Sequence, residues 1–306
     1  MRDRRPGYIE LYENGELFGR VTRLGALMAR CNICPRDCRV DRTAGKVGVC
    51  RTGSLPVVSA AHPHFGEEPP LVGRGGSGTI FMTGCNLRCV FCQNYDISHL
   101  CEGEEVTTER LAGMMVGLQR RGCHNINFVT PTHQTAQIVE SLPRAVEQGL
   151  ELPLVYNCGG YESVETLRLL DGIFDIYMPD MKYGSDEMAR KFSGAGDYVE
   201  RSREAVLEMH RQVGDLVVDS SGVAVRGLII RHLVLPGGVA GTGEVVRFIA
   251  GEVSASSYVN IMDQYRPCYR AADHPEIARR ISSEEFAGAV DAAMEAGLTR
   301  LCGITV

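Results

Sequence analysis

From residue 78 onward, short apolar runs alternate with helical patterns about six times, and this alternation limits the fold most. Runs at 79–83, 125–129, 152–156, 173–178, 228–235 and 258–262 read as buried strands. Between or after them, 107–121, 135–147, 163–170, 185–192, 198–213, 243–249 and 283–296 read as helices. The spacing also predicts a hairpin of 216–219 against 223–225, turning at Ser220-Ser221-Gly222. Repeated strand–helix units imply a parallel sheet with helices packed outside it, because parallel strands need crossovers. The class is α/β. An incomplete barrel and a doubly wound open sheet share this alternation, and both put chemistry at the C-terminal ends of the strands.

The chain ahead of these units is different. Residues 1–30 read as helical or irregular, with Leu11, Leu17, Val21, Leu24, Leu27 and Met28 as the apolar set. Residues 31–50 form a Cys-rich knot containing Pro35, Gly45 and Gly48. Residues 51–77 read as loop, broken by Pro63, Pro69, Pro70 and four glycines. The expected division is therefore an N-terminal extension over 1–77 and an α/β unit over 78–306. Met1-Arg2-Asp3-Arg4-Arg5-Pro6 is basic but leads into no apolar stretch, so no secretory signal is expected. No apolar run reaches the roughly 18 residues a membrane span needs. The expectation is a cytoplasmic chain with no membrane partner. Hydrophobic residues at 44% and charged residues at 23% suit a folded domain. A net charge of −6 gives no global reason to bind nucleic acid, and none is expected as a partner.

Twelve cysteines in such a chain are not disulfide staples, since a reducing compartment would keep them as thiols. Seven fall in two groups: Cys31, Cys34, Cys38 and Cys50, then Cys85, Cys89 and Cys92. Cys101, Cys123, Cys158, Cys268 and Cys302 are scattered and read as core or loop residues. The second group, Cys-x3-Cys-x2-Cys, follows the first core strand directly. Zinc would want a fourth ligand or a water there, whereas a 4Fe–4S cluster on three cysteines leaves one iron open. The competing reading is three core thiols that happen to be close.

Cys85-x3-Cys89-x-Phe91-Cys92 on the loop after the first strand resembles the signature of radical S-adenosylmethionine (SAM) enzymes. Glu67-Glu68-Pro69-Pro70, Gly75-Gly76-Ser77-Gly78, Cys92-Gln93-Asn94 and the upstream Cys31-x2-Cys34-Pro35-Arg36-x-Cys38 resemble the branch related to pyruvate formate-lyase activating enzymes. The resemblance implies a partial (βα)6 TIM-like barrel over about residues 78–270 with a Cys-rich extension before it. It implies a 4Fe–4S cluster on Cys85, Cys89 and Cys92, its open iron chelated by the amino and carboxylate groups of S-adenosylmethionine, with Phe91 near the adenine. One electron from the reduced cluster would break the S–C5′ bond and give methionine and a 5′-deoxyadenosyl radical that abstracts hydrogen. The protein would supply binding and orientation. A flavodoxin- or ferredoxin-like electron donor would be a partner.

Further matches to the family fall at the strand ends. Thr130-Pro131-Thr132-His133 stands where activating enzymes carry a Gly-Gly-Glu-like segment, so Thr130, Thr132 and His133 are the candidates for the cofactor amine. Asn157-Cys158-Gly159-Gly160 and Met178-Pro179-Asp180-Met181-Lys182 resemble later strand-end segments, which makes Asn157, Met178, Asp180 and Lys182 candidates for the cofactor or a monovalent cation. Arg231 matches an arginine near the cofactor carboxylate. The competing readings are structural: an Asp180–Lys182 ion pair, a capping His133, and Arg231 paired with a barrel carboxylate. Tyr265 and Arg266 are weaker candidates for lining the substrate opening.

Cys31, Cys34, Cys38 and Cys50 supply four thiolates within 20 residues, enough for a structural zinc or an auxiliary Fe–S cluster. Both stay open, as does the reading of free thiols. His62 and His64 lie near but read as loop caps. The leading function is hydrogen abstraction from a protein or peptide, with glycyl-radical-enzyme activation as one form. A small-metabolite radical enzyme and a metal or redox scaffold without turnover are the alternatives.

Overall fold

The parallel arrangement that the crossovers demand is what the chain builds. The computed structural model describes residues 5–303. The basic segment 1–4 and residues 304–306 lie outside the described residues. In chain order the extension holds α1 (Gly7–Glu13), α2 (Glu16–Ala26), β1 (Val57–His64) and α3 (Pro69–Val72). Next come β2 (Ser77–Met82), α4 (Tyr95–Ser98), β3 (Glu104–Glu105), α5 (Thr108–Arg120), β4 (Ile126–Val129), α6 (Thr135–Glu147), β5 (Leu154–Cys158), α7 (Val164–Leu169) and β6 (Ile176–Pro179). The chain continues through α8 (Asp186–Ser193), α9 (Tyr198–Val213), β7 (Val217–Val218), β8 (Ala224–Leu233), α10 (Thr242–Phe248), β9 (Tyr258–Met262), α11 (Ser283–Glu295) and β10 (Arg300–Leu301).

Strands β2, β4, β5, β6, β8 and β9 pair in parallel in that order, and β10 adds to β9. This is the partial (βα)6 barrel. Its outer face, Phe128, Tyr156, Tyr177, Leu228 and Ile230, packs on the helices. Its inner face carries Val155, Ile176, Met178 and Ile229, closed from one end by Leu71 of α3. Segments far apart in the chain meet inside it: Asn260 on β9 donates Nδ2–H to Oε1 of Glu68, just ahead of α3, at 3.0 Å, 192 residues away.

Local chemistry explains the helix starts. Thr107 caps α5 by accepting Arg110 N–H, and Ser163 caps α7 by accepting Thr166 N–H. Ser282 and Glu285 form a reciprocal capping box on α11. Helix α6 runs through Pro143 without a break in its assignment.

Two expectations need correction. Residues 51–77 are not loop throughout: they contain β1 and α3. Strand β1 lies antiparallel on β2, and only Val57 and Val58 also pair outward with β3. Pro63 sits where that outer edge is unpaired, so its missing N–H leaves no ladder bond unmade. The second strand of the 216–225 hairpin and the fifth barrel strand are one strand, β8, of ten residues. Gly227 carries it past Asp215 at φ +117°, where a Cβ would stand 2.4 Å from the Asp215 carbonyl oxygen.

Candidate active site at the strand ends

The loop after β2 leaves the barrel through Thr83 and Gly84 and carries Cys85, Cys89 and Cys92. Gly84 is at φ +83°, and a Cβ there would stand 2.4 Å from the Cys50 carbonyl oxygen. Only glycine lets this loop press against the N-terminal knot. Cys89 is buried, with Cys85 and Cys92 partly buried in the same apolar cluster. Each sulfur has a hydrogen-bonding partner. Leu87 N–H reaches Cys85 Sγ at 3.3 Å and the Ser193 hydroxyl reaches Cys89 Sγ at 2.9 Å. Ser98 Oγ lies 3.1 Å from Cys92 Sγ. Burial pushes the Cys85 and Cys89 thiols up, and their neighbouring sulfurs push the same way. The Lys182 ammonium opposes this at both.

Phe91 is buried between Tyr183 and Tyr265, with ring centroids 6.4 and 5.9 Å away, both edge-on. Tyr265 itself is buried and donates to the Ile277 carbonyl. It packs behind the triad loop.

Asn157, Asp180, Lys182 and Arg231 come together at the ends of β5, β6 and β8. Arg231 donates Nε–H to Asp180 Oδ1 at 2.8 Å and Nη2–H to Asn157 Oδ1 at 2.7 Å. Lys182 Nζ donates to Asp180 Oδ2. Burial would raise the Asp180 carboxyl, but Arg231 and Lys182 outweigh it and hold it below its ordinary range. The same carboxylate holds the Lys182 and Arg231 cations up against their own burial. The predicted structural ion pair is therefore present, and it stands beside the sulfurs. Met178 is fully buried on the inner face.

The segment after β4 is committed elsewhere. Thr130 has φ +60°, a rare conformation for a β-branched residue, and its N–H bonds the Asn157 carbonyl at 2.8 Å. Thr132 donates to Glu162 Oε1 at 2.6 Å. His133 donates Nε2–H to the Thr83 carbonyl at 2.8 Å, and burial pushes its pKa down to about 4. It is a neutral brace of the triad strand.

Several residues escaped the sequence reading. Ser98 and Ser193 serve the sulfurs. Arg36 ties the knot to the triad loop through the Asn86 carbonyl at 2.7 Å. Glu162 is buried, accepts from Thr132 and Tyr156, and is pushed up to about 7 by burial. Asn127, on the inner face of β4, has both amide atoms buried without a partner. A large groove of about 1320 Å³ lies between α2, the knot, α7 and α9, and none of the triad lines it.

Among the described residues no three Cys, His, Asp or Glu side chains stand as a finished cage for a metal ion. The triad nevertheless fits a sulfur-bound cluster by its donor set: three thiols on one loop, each with a hydrogen-bonding partner, with a buried cation beside them. Cys85, Cys89 and Cys92 would hold it. Among the described residues no helix is long and apolar enough to cross a membrane.

Comparison with known proteins agrees with this donor set. The model of the radical SAM superfamily matches residues 79–224. The chain is 32% identical over 276 residues to the uncharacterized protein MJ0674 of Methanocaldococcus jannaschii, covering 87% of this chain and 75% of that one. It is 27% identical over 182 residues to the pyruvate formate-lyase-activating enzyme of Clostridium pasteurianum, covering 56% and 68%. The FeFe-hydrogenase maturase HydG of Carboxydothermus hydrogenoformans superposes with a TM-score of 0.48 at 12% identity, over 73% of this chain and about half (51%) of that one. On its sequence matches, and with the triad in place after the first barrel strand, the chain belongs to the radical SAM superfamily.

Proposed function

We propose that this chain is an activating-enzyme-like radical SAM enzyme that abstracts hydrogen from a protein or peptide segment, as in the activation of a glycyl radical enzyme. When bound, the cluster and S-adenosylmethionine supply one-electron reductive chemistry that ends in hydrogen abstraction. The protein's part is to hold and orient. Cys85, Cys89 and Cys92 hold the cluster, and Leu87 N–H, Ser98 and Ser193 disperse charge on the sulfurs. Lys182 adds a fixed positive charge beside them. Arg231, oriented by Asp180 and Asn157, presents a guanidinium suited to a carboxylate, and Phe91 gives the loop an apolar wall. A flavodoxin- or ferredoxin-like protein is the proposed reductant. We read the four-cysteine knot as a second metal site.

The observation that carries the radical chemistry is the meeting of the donor-lined sulfur triad with the Asp180–Lys182–Arg231–Asn157 network at one end of the barrel. The macromolecular substrate is supported by the likeness to the Clostridium pasteurianum activating enzyme. The test is deuterium transfer into 5′-deoxyadenosine by anaerobically reconstituted, reduced protein. Transfer from a Cα-deuterated glycine in a partner protein or peptide is the expected result. Transfer only from small metabolites would overturn the substrate assignment.

A further inference from the structure

We propose that Cys31, Cys34, Cys38 and Cys50 bind one zinc ion as a tetrathiolate, with Arg42 as its buried counter-charge, and that the closed knot braces the loop carrying Cys85, Cys89 and Cys92. This rests on reading the knot as a metal site, and it is independent of the radical reaction.

All four thiols line one small cavity, together with Arg42, Asn86 and His133. The backbone folds to bring them there. Cys31 and the 39–40 segment exchange bonds of 2.9 Å, Cys31 N–H to the Val40 carbonyl and Arg39 N–H to the Cys31 carbonyl. Asp37 and Arg39, on either side of Cys38, take left-handed φ of 40° and 55°. A Cβ on Gly48 would stand 2.8 Å from Cys38 Sγ, so glycine is needed for the second arm of the knot to reach the first.

Space favours a small occupant. The cavity has about 10 Å³ of room, enough for the centre of one water-sized atom. A single zinc ion, about 2.3 Å from each of four sulfurs, fits such a space after small side-chain rotations. An eight-atom iron–sulfur cube would demand a wider opening of the knot than a single ion does. The side chains as they stand form no finished ion cage, which is equally true of the cluster triad.

Charge points to an anion in the cavity. Arg42 is fully buried. Its Nε and Nη2 donate to the Gly53 carbonyl at 3.0 and 2.7 Å, and Nη1 donates to the His133 carbonyl at 2.7 Å. The remaining neighbour is Cys31 Sγ, 4.0 Å from Nη1. Every one of these partners is neutral while the cysteines are thiols, and a buried cation without an anion is costly. Four thiolates around a divalent ion carry net charge −2, and Arg42 offsets half of it. On binding, four thiol protons leave to solvent and no electron moves. His133 Nδ1, in the same cavity wall, is buried without a partner among the described residues.

The knot reaches the triad at three points. The Cys50 carbonyl packs on Gly84, next to Cys85. Arg36 holds the Asn86 carbonyl and also the Ser193 carbonyl at 3.2 Å, and Ser193 is the donor to Cys89 Sγ. A zinc-closed knot therefore fixes the loop on which the cluster sits.

The test uses the full chain, purified without oxygen and reconstituted with iron and sulfide. Metal analysis should find one zinc per chain beside the triad's iron of about four. The Cys34→Ala/Cys38→Ala variant should lose the zinc and keep the iron. Cobalt supplied to the wild type should give thiolate-to-cobalt absorption, a readout that needs no variant to fold. Arg42→Met should lose zinc to a competing chelator at roughly tenfold lower chelator concentration, with Arg42→Lys between the two. Zinc removal should speed amide hydrogen exchange across 84–92, and unchanged exchange there rejects the bracing role. If iron and sulfide rise to about eight each and the excess disappears in the double variant, the knot holds a cluster and the zinc assignment is wrong. If no metal is found beyond the triad and no cobalt binds, the metal-site reading itself falls.

Discussion

The three sulfurs of the triad differ from the chain's scattered cysteines in one physical respect: they sit together on one loop, each with a hydrogen-bonding partner. Cys89→Ala removes the most buried of them and leaves the Ser193 hydroxyl without its acceptor. The expected outcome is loss of the triad's iron and at least about a 100-fold fall in S-adenosylmethionine cleavage, read by metal analysis and 5′-deoxyadenosine formation. Asp180→Asn tests the neighbouring network. It leaves Lys182 and Arg231 facing each other without an anion, so unfolding free energy in denaturant titration should drop by about 3 kcal/mol near neutral pH. Asp180 is held below its ordinary range, so its stabilisation is complete above the unfolded carboxyl value near 4 and disappears as pH falls through the lower folded value. The two proteins should converge in stability only in strong acid. Glu162 has the opposite sign. Its folded value of about 7 lies above its ordinary 4.5, so the wild type loses stability as pH rises from about 4.5 to 7. Glu162→Gln should abolish that slope, a difference of up to ~3 kcal/mol, visible as a flatter melting temperature between pH 5 and 7. The triad stood out by its spacing after a strand, and Asp180, Lys182 and Arg231 by their likeness to the family's strand-end segments; the structure brings these last three together. Ser193 was not, because it meets Cys89 across 104 residues and nothing local marks it. Glu162 was hidden because its pairing with Thr132, after β4, spans 30 residues, while Tyr156 lies inside the strand Glu162 follows.

Elements with strong period and caps were read almost to the residue, as with α6 over Thr135–Glu147 and α5 behind its Thr107 cap. Helix α11 is the clearest case, since Ser282 and Glu285 satisfy each other's backbone donors. Glu285 also accepts Gly237 N–H and the Arg279 guanidinium, which tie this helix to the turn after β8 and hold its carboxyl down at about 2. Ser282→Ala should cost about 1 kcal/mol, measured by chemical denaturation, without altering iron content. Strand β1 was missed because Pro63 and its polar residues read as breakers. An edge strand tolerates both, since half of its backbone groups have no ladder to complete. The hairpin's second strand and the fifth barrel strand were read apart, whereas Gly227 joins them as a close crossing beside Asp215.

At the scale of the whole molecule, parallel pairing alone left a barrel and an open sheet equally good. The contact between Glu68, ahead of α3, and Asn260 on β9 joins segments 192 residues apart, information that no local window contains. The N-terminal extension is not a loose appendage on this barrel: Gly84, Arg36 and Arg42 join the knot to the strand end that carries the triad. On the reading proposed above, that arrangement would serve one chemistry, reduction of a cluster held by Cys85, Cys89 and Cys92 and cleavage of S-adenosylmethionine. The most direct measurement is 5′-deoxyadenosine production by anaerobically reconstituted, dithionite-reduced wild type and Cys89→Ala protein. Sustained product from the wild type and none above background from the variant is the predicted result. A wild type that carries its full iron yet yields no product, or a variant that matches it, would contradict the account.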